Sequence, residues 1–195
     1  MTIRKGEPWG EPVGRPDDLR VVESDAAVAD AVRSGASGPI GISAGDLHRA
    51  VGSPPPREHM QRLPIDVLDV TVDGREFVAV AHVVARRGWW QGRIVAATNV
   101  DHIGHWNIAP RAHPNDGRFD VLDVDQEMTL RQRWQARARL PTGTHVPHPL
   151  ISVRTATEMA WKFARPHAIW VDGVRVAEAR DLSVVVRPDA FSLVV

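Results

Sequence analysis

The apolar positions change rhythm twice along the chain. Residues 1–18 show no period and are broken by Pro8, Pro12 and Pro16, so they are expected to form an irregular arm. Residues 19–60 alternate short strand and helix signals. Leu19-Arg20-Val21-Val22 predicts a short strand. Ser24 then precedes DAAVADAVR, whose Val28, Ala29 and Val32 share one helical face. Pro39-Ile40-Gly41-Ile42 predicts a buried strand. Ala44-Gly45-Asp46 opens a short helix, LHRAVG, with Asp46 as its expected N-cap and Gly52 and Pro54 as its stop. This strand–helix–strand–helix order describes a piece of an α/β layer, too small to stand alone.

From residue 61 onward the period falls to two. IDVLDVTVDGREFVAVAHVVARR reads as two strands around Asp73-Gly74, and AIWVDGVRVAEA as a hairpin around Asp172-Gly173. Asp-Gly between β-rich runs is a strong hairpin signal, because both residues tolerate positive φ. TEMAWKFA alternates strictly, with Met159, Trp161 and Phe163 on one face and Glu158 and Lys162 on the other. GRIVAATNV, FDVLDVD, LSVVVR and AFSLVV supply further strands. One helix interrupts them near Thr129–Arg139, with Leu130 and Trp134 on one face. The expected architecture is mainly β with some α: a two-layer antiparallel β-sandwich over residues 61–195, plus a small α/β remnant over 19–60.

Composition narrows the function classes. Lys+Arg and Asp+Glu both number 24, so there is no basic excess of the kind a dedicated nucleic-acid binder carries. Cysteine is absent, which excludes disulfides and thiolate metal sites. No apolar run is long enough to span a bilayer, and the N-terminus lacks the apolar segment of a signal peptide, so cytoplasm is the expected compartment.

Nine histidines raise the question of zinc. Thr144-His145-Val146-Pro147-His148-Pro149 spaces two of them three apart, but the prolines forbid a helix, and an extended chain sends the two imidazoles to opposite faces. These are expected to be packed loop histidines. His113-Pro114-Asn115-Asp116-Gly117 gathers oxygen ligands around a tight turn. Asn115 and Asp116 are therefore Mg²⁺ candidates, against the plainer reading that Asn and Asp cap a hairpin turn. Arg131, Arg133 and Arg137 lie in the acid-free stretch RQRWQARAR. They are candidates for docking on anionic lipid or phosphate, against a solvated face whose Trp134 anchors the core. Trp89 and Trp90 cannot both point inward from one strand, so one forms an exposed tip or both cover a sandwich end.

Several segments, in order, resemble the diacylglycerol kinase, sphingosine kinase and bacterial lipid kinase family, distant relatives of NAD kinases. Gly38-Pro39-Ile40-Gly41-Ile42 followed by Gly45-Asp46-Leu47-His48-Arg49-Ala50-Val51-Gly52 is similar to its P-L-G-I-I-P-x-G-T-G-N-D-F-A-R-x-L-G segment. Ala97-Thr98-Asn99, Ile108-Ala109-Pro110, Asp116-Gly117-Arg118-Phe119-Asp120-Val121, His148-Pro149 and Val171-Asp172-Gly173 resemble later family segments. The resemblance implies a nucleotide-binding α/β part, a β-sandwich, and a site in the cleft between them.

The family's Gly-Gly-Asp-Gly-Thr nucleotide signature is replaced here by Glu23-Ser24-Asp25-Ala26-Ala27. Glycine lets backbone approach phosphates closely and take positive φ; Ser and Ala do so poorly. No cofactor is therefore implied, and productive ATP binding is not expected. The expectation is a catalytically silent, truncated relative. It would bind a lipid, a small molecule or a protein partner through Asp46, Arg49, Asn99, Trp106, His113 and His145. Asp25 would be the residual acid if an ATP- and Mg²⁺-dependent lipid kinase activity persisted. A homodimer or a partner subunit would cover the bare α/β face, and the arginine stretch allows peripheral membrane contact.

Overall fold

A computed structural model describes residues 9–35, 38–54 and 59–195. The elements run β1 (Glu11–Gly14), β2 (Arg20–Val22), α1 (Asp25–Arg33), β3 (Ile40–Ile42), α2 (Asp46–Ala50), β4 (His59–Val72), β5 (Arg75–Ala79), β6 (His82–Arg86) and β7 (Ile94–Thr98). They continue through β8 (His102–Ile103), β9 (Trp106–Asn107), β10 (Phe119–Val124), α3 (Leu130–Arg139), β11 (Ile151–Ala156), β12 (Glu158–Val171) and β13 (Val174–Val194).

Eleven strands form one hydrogen-bonded sheet, in the order β1-β4-β13-β12-β6-β7-β10-β11, with β5 on β4, and β2 and β3 attached through β13. The sheet closes over a core of Leu68, Val70, Val95, Phe119, Val121, Trp161, Phe163, Ile169 and Val184. The alternation predicted for 157–164 is present: Trp161 and Phe163 are buried, while Glu158 and Lys162 are exposed. Both Asp-Gly hairpins also form. Asp73 and Asp172 take φ near +44° and +45°, and each is followed by a glycine at about +80°. These are the torsions that a tight hairpin needs to match the strand twist.

Three readings of strand structure are revised. The 65–87 stretch holds three strands rather than two, because the chain bends between Ala79 and His82 and crosses from the β4 side to β12. The runs VRVAEA, LSVVVR and AFSLVV are one 21-residue strand, β13, with a register shift between Arg187 and Phe191 that lets it bend without breaking, and TEMAWKFA continues into AIWV as β12. The arm is not wholly irregular. Glu11–Gly14 pairs antiparallel with β4, and the rest of the arm up to residue 8 lies outside the described residues.

The α/β segment is fused to the sandwich by main-chain bonding. β2 and β3 are parallel, and Ile40 of β3 pairs with Leu193 of β13. Ser24 caps α1 as expected, accepting from the Ala27 amide. Val28, Ala31, Ile40, Ile42 and Leu47 pack on Leu63, Ile65, Val67 and Leu193 in a second core. A third core joins Val84, Ile94, Ala96, Ile108, Leu122 and Met128 below α3. Thr129 and Gln132 build a reciprocal capping box that starts α3 where the sequence places it.

Candidate functional site

Two places in the fold carry chemistry, one polar and one apolar. The polar one lies where the α/β segment meets the sandwich. Asp25, the first residue of α1, points its carboxylate at the start of α2. It accepts from the Asp46 amide at 2.7 Å and the Leu47 amide at 3.1 Å. Gly45, at φ +117°, makes room for it: a Cβ there would sit 2.4 Å from an Asp25 oxygen. Burial pushes the Asp25 carboxyl up to about 6, opposed by those two backbone hydrogen bonds.

Asp46 is not the N-cap of α2. Gly45 holds that position, with Asp25 supplying the acceptor, and this frees the Asp46 carboxylate to accept from the Gly104 amide at 2.9 Å. Arg49 donates to the Gly104 carbonyl. His82, buried, lies with Nδ1 3.6 Å from Asp46; burial lowers its pKa, opposed by the Asp46 charge. Asp172, from the second hairpin, accepts from the amides of Val80 at 2.8 Å and of Ala81 and His82 at 2.9 Å. Burial pushes its carboxyl up to about 7, against those three bonds.

Beside these lies a second polar knot. The Asp66 carboxylate accepts from the Gly117 amide at 2.7 Å, the Asp189 amide at 2.8 Å and the Asn115 side-chain amide at 3.2 Å. Asn115 also donates to Asp189 at 2.9 Å. Asn99 donates to the carbonyls of Asp66 and Val80. Burial raises Asp66, and it lowers His113, which packs edge-on against Trp9 with ring centroids 4.5 Å apart.

The Mg²⁺ candidates both make bonds within the fold. Asn115 spends its amide on two carboxylates, and Asp116 accepts from the Arg118 amide two residues on. Among the described residues no group of three His, Cys, Asp or Glu side chains is placed to hold a metal ion.

The apolar place is a cavity of about 80 Å³ between α3, strands β6, β7 and β10, and the β8–β9 hairpin. Its walls include Val84, Ile94, Ala96, Trp89, Trp106, Ile108, Leu122 and Met128, with Trp90, Arg137 and His145 also on its lining. Trp89 meets Trp106 edge-on at 5.1 Å, and the Arg137 guanidinium lies 4.7 Å over the Trp106 ring and 5.8 Å over Trp90. His145 is buried there, and desolvation lowers its pKa.

The six expected ligand residues therefore do not share one cleft. Asp46 and Arg49 hold Gly104, Asn99 and His113 belong to the Asp66 region, and Trp106 and His145 line the apolar cavity. The docking trio divides as well. Arg131 and Arg137 are exposed, but Arg133 is buried and donates to the carbonyls of Met128, Gly92 and Asp125. A guanidinium committed to three internal carbonyls is not available to a surface. Trp134 is 64% exposed and does not anchor the core. Of the adjacent tryptophans, Trp89 packs inward and Trp90 is exposed.

His82, Asp66 and Asp172 were not among the expected site residues. Each sits in a strand or hairpin run that reads as ordinary β pattern. The one visible signal is an acid at an inward position, as in Ile65-Asp66-Val67.

A large antiparallel sheet closed into a sandwich, with a short α/β segment bonded to its longest strand, defines an NAD-kinase-like β-sandwich protein. Residues 60–195 match the family described as the YegS C-terminal NAD kinase beta sandwich-like domain, and the chain belongs to that family. Solved structures with the same fold include one described as a diacylglycerol kinase from Bacillus anthracis str. Sterne. It has a TM-score of 0.63 and 13% identity, over 90% of this chain and 75% of that one. A second, provisionally described as a diacylglycerol kinase from the same organism, gives 0.66 and 14%, over 90% and 77%. Among curated proteins, none matches this sequence. The fold is that of lipid-kinase-like proteins. Among the described residues, no helix is long and apolar enough to cross a membrane.

Proposed function

We propose that this chain is a non-catalytic lipid-kinase-like protein that holds an apolar, lipid-derived group in the cavity beneath α3. The observation that carries the reading is the cavity itself: about 80 Å³ walled by aliphatic side chains and tryptophan, with Arg137 on its lining. A pocket with apolar walls and few polar groups suits an alkyl segment whose polar end stays near the arginine. Its size suits part of a chain, not a whole lipid.

Two features support the absence of catalysis. The α2 amides, which an anion could otherwise take, are already satisfied by Asp25. The glycines that would let backbone wrap phosphates are replaced by Glu23, Ser24 and Ala26, at a capped helix start.

The test is displacement of a fluorescent fatty-acid analogue from wild type and from Ala96→Leu, which fills the cavity. Saturable binding by wild type, lost in Ala96→Leu with the fold retained, is the expected result. Equal binding by both proteins refutes the cavity assignment.

A kinase reading draws support from the fold shared over 90% of the chain with structures described as diacylglycerol kinases. Transfer of labelled phosphate from ATP to diacylglycerol, above an Asp25→Asn control, would establish it in place of the non-catalytic one. A subunit role draws on the β2 edge, where Val21 is 49% exposed and β2 pairs only with β3 among the described residues. Light scattering that gives a monomer at high concentration removes it.

A further inference from the structure

The outer face of α3 matches neither core nor ordinary solvated helix. Leu130 and Trp134, four residues apart, are 65% and 64% exposed and stand on one stripe. Arg131 and Arg137, both exposed, flank that stripe on its two sides, while exposed Arg139 lies on the far side of the helix. Trp90, 44% exposed, lies next to the helix beneath the Arg137 guanidinium.

The exposed charge on α3 itself is of one sign: Arg131, Arg137 and Arg139 are exposed and the helix carries no Asp or Glu, in a chain whose net charge is zero. The nearest acids, Asp125 and Glu127, precede the helix. Nor does α3 gain stability from this exposure, since Arg133 and Ala136 on the opposite face already seat it. Exposed tryptophan and leucine flanked by arginines is the pattern that partitions into a headgroup layer. The apolar side chains enter the acyl boundary while the guanidiniums meet lipid phosphates.

We propose that α3, with Trp90, is a membrane-docking surface for anionic phospholipid. It goes beyond the cavity reading and does not require the cavity to be filled. Docking this face would lay the cavity lining at Trp90 and Arg137 against the bilayer.

The test is sedimentation of the full chain with two kinds of vesicle: phosphatidylcholine alone, and phosphatidylcholine with about 30% phosphatidylglycerol. Binding to the anionic vesicles, weak on neutral ones and falling with added salt, is expected. Trp134→Ser should weaken binding about tenfold, and Arg131→Gln about fivefold, with circular dichroism unchanged because both side chains are exposed. The cavity-filled Ala96→Leu should bind vesicles like wild type, which separates this surface from the ligand reading. Brominated lipid should quench wild type more than Trp134→Phe. Equal binding to both vesicle types, wild-type binding by the Trp134→Ser and Arg131→Gln variants, or vesicle binding lost in Ala96→Leu alone would each overturn the proposal. So would binding to heparin that matches the vesicle binding without any bromine quenching, since that marks a soluble polyanion as the partner.

Discussion

Replacing Asp172 with asparagine should change how stability depends on pH more than it changes stability at any single pH. The wild-type carboxyl is buried, with its pKa raised to about 7 from an ordinary 3.8. A raised carboxyl pKa means that the fold binds the proton more tightly than the unfolded chain does. The contribution is therefore fully present below about pH 4 and is lost as pH rises through about 7. The interval is worth about 4 kcal/mol at roughly 1.4 kcal/mol per pH unit.

Asparagine keeps the shape but does not titrate. Its oxygen still accepts from two amides, while its NH₂ opposes the third, at a cost of about 1–3 kcal/mol. The Asp25 carboxyl titrates in both proteins, so it largely cancels from the comparison. Between about pH 5 and pH 8, Asp172→Asn should gain about 2–3 kcal/mol relative to wild type. Urea unfolding followed by tryptophan fluorescence across that range measures the difference directly. Parallel stability profiles for the two proteins would refute the assignment of Asp172 as a buried carboxyl whose pKa folding raises.

Other outcomes follow from the same geometry. Gly45→Ala places a Cβ against the Asp25 carboxylate at a φ of +117°, and should lower the melting temperature by about 5–10 °C in calorimetry. Asn115→Asp sets a third carboxylate beside Asp66 and Asp189; it should destabilise by about 2–4 kcal/mol at neutral pH and by less at acid pH, measured by denaturant unfolding. Arg133→Ala strands the carbonyls of Met128, Gly92 and Asp125, and should cost about 2–4 kcal/mol and raise hydrogen exchange in α3.

Much of the scaffold was legible along the chain. Period-two alternation located the first half of β12, the two Asp-Gly turns located their hairpins, Ser24 marked the start of α1, and α3 fell near Thr129–Arg139 as expected. These signals are local: a cap needs its own next turn, and a hairpin needs torsions available to two adjacent residues. The continuity of β13 was less legible. A bulge between Arg187 and Phe191 reads in sequence as a break, and only pairing with β4 on both sides of it makes one strand.

The site was decided by tertiary structure. Asp25 reads as a relic of a catalytic motif. It becomes a cap only because α1 and α2 meet at Gly45, 20 residues along the chain. Arg133 and Trp134 are neighbours in one basic run, yet the helix turns the arginine into the carbonyls of two loops and the tryptophan into solvent. Sequence determined the periods, caps and turns, because those energies lie within a few residues. The folded chain decided which polar groups are spent on holding it together and which side chains remain free to meet a ligand or a membrane, because burial and pairing depend on residues distant in sequence.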